Sequence, residues 1–324
     1  MRSICTSIVA TLLLAGTSFA DTFHVPAEYA TIQSALNAAA ASGGSPHTIQ
    51  LAPGTYYEHS ITISGEFELL TITGWDHDTG SGAATIDAQG LGPVFIVQET
   101  MVDFTNITLL GLTITGGYSA YGGGVIAEGA DLLLLLGCTI TGNHADWGGG
   151  GIYGWESNIA VNNSMVSGNT TFGQGGGAYV DSIIEGKSLL VWGSTFQNNT
   201  ADAGGAIFSY GEPDEFWLTV TLRDAEICGN SFPQLQGHVY INDQDEEHVT
   251  KILAECSPET HNCCTSSGCI ELSEVDCLAL NGTWLSEGGS CDDCPATCEG
   301  DTDGNGAVDI EDLLNMIGNW GPCS

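Results

Sequence analysis

The feature that most constrains the fold is a short motif that returns four times in the middle of the chain. Its copies are CTITGN at 138–143, SMVSGN at 164–169, STFQNN at 194–199 and AEICGN at 225–230. Each copy closes on an asparagine, and successive asparagines are 26, 30 and 31 residues apart. A repeat of this length indicates a structural unit that stacks on its neighbours, because one copy cannot bury its own apolar side.

Two further motifs return between the asparagines. A glycine-rich one appears as GGGVIA (122–127), GGGGIYG (148–154), GGGAYV (175–180) and GGAIFS (204–209), and an apolar one as LLLLLG and SLLVWG. Three short β runs in each repeat predict an all-β chain folded as a right-handed parallel β-helix. The shared register of the copies argues against a β-sandwich. We expect inward rows containing Cys138 and Ile140 with their equivalents, and a hydrogen-bonded ladder of the four asparagines.

The segment before the repeats predicts a helix that caps the open end of this β-helix. The helix is expected from Pro26 to Gly43, with an apolar stripe of Tyr29, Ile32, Leu36 and Ala39. This helix followed by TIQLAPGTYYE resembles the start of pectin-lyase-like β-helix proteins, including pectin methylesterases. The GGA-I and F-x-N-N copies are similar to those of polymorphic outer-membrane β-helix proteins. Both resemblances imply the fold over about residues 23–255, and neither implies a chemistry.

Composition and the N-terminus predict an exported, acidic protein. Residues 1–20 read as a secretory signal peptide, with Arg2, an apolar centre and a small-x-small site at Ser18-Phe19-Ala20. The chain carries four basic and 40 acidic residues, for a net charge of −36. Such a surface excludes nucleic acid and anionic membranes as partners. No segment is long and apolar enough to predict a transmembrane helix, so we expect a secreted or cell-surface location.

Nine of the twelve cysteines lie between Cys256 and Cys323. In an exported protein they predict disulfides, with zinc ligation by Cys291, Cys294 and Cys298 as the alternative. We therefore interpret 256–297 as a disulfide-stapled segment, similar to small cysteine-rich units of secreted bacterial proteins. An odd number remains after the signal peptide, and the buried Cys138 is the expected free thiol.

The run DTDGNGAVDIED predicts a calcium site near the C-terminus. It has the spacing of an EF-hand loop, with ligands from Asp301, Asp303, Asn305, the Ala307 carbonyl, Asp309 and Asp312. Together with the helix that follows, residues 298–324 resemble a single-loop dockerin, which implies Ca²⁺ as cofactor and a cohesin-like or envelope partner. Cys298 and Cys323 bracket the loop and helix and are predicted to bond to each other. The expected domains are the signal peptide 1–20, the β-helix 21–255, the segment 256–297 and this module 298–324.

The sequence offers few catalytic candidates within the predicted β-helix. Only Lys187, Arg223 and Lys251 could act as the base of a lyase, and they do not stack into one cluster. One carboxylate pair remains: Asp146 and Asp202 each lie three residues after a ladder asparagine. Two coils would separate them by roughly 9.6 Å, near the spacing of inverting glycosidases. Solvated turn residues are the alternative interpretation of this pair.

Aromatic residues indicate a binding face. If Val125, Ile152, Ala178 and Ala206 point inward, Tyr153 and Tyr179 point outward on adjacent coils, in a row with Ile126 and Ile207. Trp147 and Trp155 lie close by in sequence. Stacked rings present flat apolar surface to sugars, and stabilisation of the sheet is the alternative role.

These observations leave three hypotheses open. The first is an exported β-helix that binds surfaces or polysaccharide and is attached through its calcium-dependent tail, without catalysis. The second is a polysaccharide lyase or glycoside hydrolase of the pectin-lyase-like fold. The third is a structural protein of the cell envelope.

Overall fold

In the computed structural model the chain divides into two compact units, residues 1–256 and 257–324. The structure describes residues 21–256 except 44, 65–66, 75–83, 99–105, 184–185, 211–217, 238, 242–249 and 254, together with three strands of the second unit. The predicted signal peptide, the calcium loop 301–312 and the Cys298–Cys323 pair lie outside the described residues.

The first unit is a parallel β-helix of the right-handed type, as predicted. Its strands pair in parallel with those of the coils before and after, and they form three sheets. Sheet 1 contains Asp21–Val25, His47–Leu51, Leu69–Thr73, Asn106–Leu110, Leu132–Leu136, Asn158–Asn162, Lys187–Trp192, Leu218–Arg223 and Val239–Ile241. Sheet 2 contains Gly54–Tyr56, Ala84–Asp87, Leu112–Thr115, Thr139–Thr141, Met165–Ser167, Thr195–Gln197, Glu226–Cys228 and Lys251–Leu253.

Sheet 3 and a short ribbon complete the coils. Sheet 3 contains Ile61–Ser64, Phe95–Gln98, Val125–Glu128, Ile152–Trp155, Ala178–Asp181, Ile207–Tyr210 and Leu235–Gln236. The ribbon contains Tyr118–Tyr121, His144–Gly148 and Thr170–Thr171. In each of these three coils the ribbon strand follows the sheet 2 strand, and the glycine-rich motif then leads into sheet 3.

The core lies inside the coils because side chains alternate along every strand. In the strand Leu132–Leu136, Leu133 and Leu135 are fully buried while Leu132 is 37% exposed. The two predicted inward rows are confirmed: Ile140 pairs with Val166, Val166 with Phe196 and Phe196 with Ile227, and all four are buried. Cys138 is buried with a free thiol.

The asparagine ladder is also confirmed. The amide nitrogen Nδ2 of each asparagine donates to Oδ1 of the next, from Asn143 to Asn169 and Asn199 and on to Asn230, over 2.9–3.0 Å. The Oδ1 atoms of Asn169, Asn199 and Asn230 also accept the backbone N–H of the preceding asparagine. The ladder thereby satisfies polar groups at a turn that is closed to solvent.

The N-terminal helix is shorter than predicted and spans Ile32–Ser42. Thr31 and Ser34 form a capping box at its start, and the Glu58 carboxylate accepts from the N–H groups of Ile32 and Gln33. The prediction of a start at Pro26 was wrong, because this cap places the first helical residue at Ile32, six positions later. The stripe of Ile32, Leu36 and Ala39 is buried, whereas Tyr29 packs beside the core from the preceding loop.

The described part of the second unit is a small antiparallel sheet of Thr260–Thr265, Gly268–Ser273 and Thr283–Trp284. Among the residues that the structure describes, no helix is long and apolar enough to cross a bilayer.

Candidate functional site

Sheet 3 carries a stack of aromatic rings on its outer side. Ile152 and Ala178 are buried, so Tyr153 and Tyr179 that follow them point outward, as predicted. Their rings stack with centroids 5.6 Å apart at an interplanar angle of 20°. Tyr121 from the ribbon lies against Tyr153, with a centroid distance of 4.9 Å. We call these three tyrosines, together with Phe208, the tyrosine face.

Phe208 extends the stack by one coil, and this corrects the predicted register. Tyr179 pairs with Phe208 and stacks on it at 5.4 Å and 7°, whereas Ile207 is buried and pairs with Ala178. The prediction that Ile207 lies in the outward row was wrong. The turn between Asn199 and the sheet 3 strand is one residue shorter than the turn after Asn169, and a shift of one residue exchanges the two faces of a strand.

A hollow of about 370 Å³ opens where the tyrosine face meets the ribbon. It is lined by Tyr121, Trp147, Gly173, Gln174, Tyr179, Asp202 and Ala203. Gly148 lets the Tyr179 ring pack closely on the ribbon, because a Cβ at this position would lie 3.1 Å from that ring. Trp147 is 65% exposed, so its ring is available to a ligand. The structure therefore brings Trp147, Tyr179 and Asp202 together.

Trp155 lies in the next outward row of sheet 3, beyond the hollow. It pairs with Asp181, which in turn pairs with Tyr210, and both aromatic residues are partly exposed. One Asp181 oxygen, Oδ1, is buried without a hydrogen-bond partner among the described residues. Burial and the nearby Glu156 raise the pKa of Asp181 above its ordinary value.

The same surroundings keep the tyrosines neutral. Burial, followed by the charge of Asp181, raises the pKa of Tyr153 to about 12 and raises the pKa of Tyr179 as well. The phenols therefore remain protonated at any physiological pH, with intact π faces and hydroxyl donors.

Asp146 has different surroundings from Asp202. Its carboxylate accepts from the Tyr118 hydroxyl at 3.0 and 3.1 Å, and it lies 3.8 Å from His144 Nε2. His144 stacks on Tyr118 and contacts Thr170 Oγ1 through Nδ1 at 2.8 Å. The hydrogen bond to Asp146 raises the pKa of the Tyr118 hydroxyl. Asp146 is thus held on the ribbon by neighbouring side chains, whereas Asp202 lines the hollow.

The site contains residues that the sequence analysis did not select: Tyr118, Tyr121, His144, Gln174 and Phe208. The backbone N–H of Gly117 donates to Asn143 Oδ1, so Gly117 stands where later coils have a ladder asparagine. Extending the alignment of LTITGG past Gly117 would have placed Tyr118 in one row with His144. To predict the outward direction of Phe208, one would have to notice that the turn before its strand is one residue shorter than in the preceding coil.

All lysines and arginines after the predicted signal peptide are elsewhere. Lys187 and Arg223 belong to strands of sheet 1 and Lys251 to a strand of sheet 2. Arg223 lies over the Trp192 ring at 5.4 Å. The tyrosine face and the hollow therefore combine aromatic rings with carboxylates and contain no Lys or Arg. Among the residues that the structure describes, no group of three or more metal-binding side chains is present.

Comparisons with known proteins add one distant structural similarity. The sequence matches no known protein family, and it matches no curated protein. A crystal structure of the pectin methylesterase from Aspergillus niger aligns over 76% of this chain and 93% of its own, at 15% identity and a TM-score of 0.36. Similarity at this level transfers no activity and no site residue to this chain.

Proposed function

We propose that this protein is an exported β-helix that binds polysaccharide through the tyrosine face and the adjoining hollow. One observation carries the proposal. Stacked tyrosines, an exposed tryptophan and a carboxylate without a hydrogen-bond partner among the described residues lie together in one concave site. Sugar rings have apolar faces that pack on aromatic rings and hydroxyls that bond to polar groups at the edge. Concave sites with aromatic walls and a few polar groups are typical ligand sites.

The arrangement favours an extended ligand over a compact one. Tyr153, Tyr179 and Phe208 follow one another along the helix axis at intervals of 5.4–5.6 Å. Phe208 is only 6% exposed, so it supports the Tyr179 ring by packing on it and is not itself open to a ligand. A chain that lies parallel to this axis contacts Tyr153 and Tyr179 on successive coils, so modest contacts add up along one ligand. The rings are held by packing before any ligand arrives, which reduces the entropy lost on binding.

The test is retention on insoluble polysaccharides by the Tyr153→Ala/Tyr179→Ala double variant. Loss of two stacking surfaces is expected to reduce retention about tenfold. Tyr57→Ala, which removes a tyrosine that is 65% exposed and lies outside this face, is the matched control and retains binding. Equal binding by wild type and the double variant places the site elsewhere, and no binding by wild type favours a structural role.

A glycoside hydrolase is the second candidate, favoured by the position of Asp202 in the hollow. An inverting mechanism needs a second carboxylic group on the opposite side of the scissile bond. Asp146 would have to release its bond from Tyr118 to serve there. Release of reducing ends from a panel of plant and algal polysaccharides, abolished by Asp202→Asn, supports hydrolysis. Binding without product supports the non-catalytic role.

We also propose that the C-terminal tail binds Ca²⁺ and attaches the protein to a cohesin-like or envelope partner at the cell surface. The support is the ligand spacing at Asp301, Asp303, Asn305, Ala307, Asp309 and Asp312. Calorimetry on the full chain is expected to show Ca²⁺-dependent heat that Asp301→Ala removes. Peptide mapping without reduction is expected to find Cys298 joined to Cys323. An unchanged calcium signal in Asp301→Ala contradicts the loop assignment.

A further inference from the structure

The hollow has an electrostatic character that narrows the class of sugar it takes. Asp202 lines it, and this carboxylate has no hydrogen bond or ion pair within the part of the chain that the structure describes. Asp146 by contrast is engaged by Tyr118, and Glu128 accepts from Gln98. Asp202 is the carboxylate in the lining of the hollow, and it is free to bind a ligand.

The surroundings of Asp202 attract positive charge and repel negative charge. Lys187, Arg223 and Lys251 all belong to the other two sheets, so no lysine or arginine offsets this carboxylate. The whole chain adds a net charge of −36. A polymer of uronic acids would bring its own carboxylates against this surface and be repelled.

The aromatic rings that line the hollow also favour a positively charged ligand. Tyr121, Trp147 and Tyr179 line the hollow beside Asp202. The face of an aromatic ring is electron-rich and attracts a cation within about 6 Å of its centre. An ammonium group at Asp202 would bond to the carboxylate and lie beside these rings, while the sugar ring that bears it packs on Trp147.

Resting on the proposed function, we infer that the hollow is a subsite for an amino sugar, and that the protein prefers polysaccharides with free amines over neutral or uronic acid polymers. The carboxylate of Asp202 binds the ammonium, and Trp147 with Tyr179 binds the sugar ring. Gln174, which also lines the hollow, provides an amide for a neighbouring hydroxyl. The site thus distinguishes an amine from its acetylated form at the same position of the same sugar.

The experiment compares two ligands that differ only in this group. Calorimetry on the full chain measures binding of a glucosamine oligomer and of the N-acetylglucosamine oligomer of equal length. Because a charge-assisted bond is lost on acetylation, wild type is expected to bind the amine form roughly tenfold more tightly. The preference is expected to disappear above the pH at which the amine loses its proton, and to weaken in high salt.

Asp202→Asn keeps the shape and removes the charge, so it is expected to bind both oligomers equally. Asp224→Asn makes the same change of net charge in the turn between sheets 1 and 2, and it is expected to keep the preference. Loss of the preference in both variants shows general attraction to an acidic surface and overturns the subsite. A lysine oligomer of equal charge that binds through Asp202 as tightly overturns the assignment to a sugar.

The outcomes separate this inference from the proposed function. If wild type binds both oligomers equally and the Tyr153→Ala/Tyr179→Ala variant binds neither, the polysaccharide site stands and the amine subsite is wrong. If wild type binds neither oligomer but is retained on a neutral polysaccharide, the same conclusion holds. If it binds no polysaccharide at all, both are wrong.

Discussion

At the scale of single residues, two polar side chains illustrate opposite situations: one is fully bonded within the fold and the other is open to a ligand. Asn169 forms bonds in both directions of the ladder, while Asp202 remains uncommitted in the hollow. Asp181 fits neither description. Its Oδ1 is buried without a partner among the described residues, and Glu156 lies near enough to raise its pKa. An ionised Asp181 therefore destabilises the folded state.

Asp181→Asn is accordingly expected to raise the free energy of unfolding at neutral pH. The folded pKa of Asp181 lies above its ordinary value of 3.8, so its ionisation weakens the folded state as the pH rises through this range. The advantage of the variant is expected to be full at neutral pH and to shrink as the pH falls to the ordinary pKa. Thermal unfolding of both proteins from about pH 3 to pH 8 measures this. A constant difference across that range contradicts the assignment to ionisation.

At the scale of elements, the coils are joined by two kinds of bond. The strands pair through their backbones, and at the turn after sheet 2 the asparagine side chains add bonds between the coils. The glycine-rich motif that follows needs its small residues because the coils approach closely there. A Cβ on Gly151 would lie 2.6 Å from the carbonyl oxygen of Gly177. This close packing fixes the position at which each sheet 3 strand begins, and it thereby positions the tyrosine face.

Asn199→Ala is expected to destabilise the β-helix by about 3–5 kcal/mol, because several buried groups lose their partners at once. Asn199 Nδ2 donates to Val166 O and Asn230 Oδ1, and its Oδ1 accepts from the backbone and side chain of Asn169. Denaturant unfolding is the measurement. Asn106→Ala, at an exposed position of sheet 1, is the control and is expected to change stability little. Equal effects of the two substitutions would show that the ladder adds no stability.

At the scale of the whole molecule, a stack of coils is open at both ends, and each end needs its own closure. The helix Ile32–Ser42 packs its buried side on the first coils. At the other end of the first unit, the disulfide Cys228–Cys256 joins a sheet 2 strand to the segment after Lys251–Leu253. The last coil is thereby tied to the coil before it.

Replacement of both Cys228 and Cys256 by alanine is expected to loosen this last coil. A bond between residues 28 apart stabilises a chain by about 3–4 kcal/mol in the loop-entropy account. Hydrogen exchange is expected to rise first in Lys251–Leu253 and Glu226–Cys228, and to stay low in the central coils near Ile140. Uniform loss of protection along the β-helix would contradict a local closure.

The sequence by itself determined the parallel β-helix, its inward rows and the asparagine ladder. These follow from periodicity, since equivalent residues of a repeat occupy equivalent positions on successive coils. It also predicted the outward direction of Tyr153 and Tyr179, because alternation along a strand is a local property.

Only the tertiary structure decided which side chains share a site. Phe208, and not Ile207, occupies the outward row beside Tyr179, because the preceding turn is one residue shorter and shifts the strand. The periodic pattern of the repeat does not show that shift. The helix start moved because Glu58, distant in sequence, binds its first N–H groups. Asp202 and Asp146 each follow a ladder asparagine by three residues in the sequence. Asp202 lines the hollow, whereas Asp146 is hydrogen-bonded to Tyr118. Such contacts join separate coils, and their geometry depends on turn lengths that a repeat does not specify.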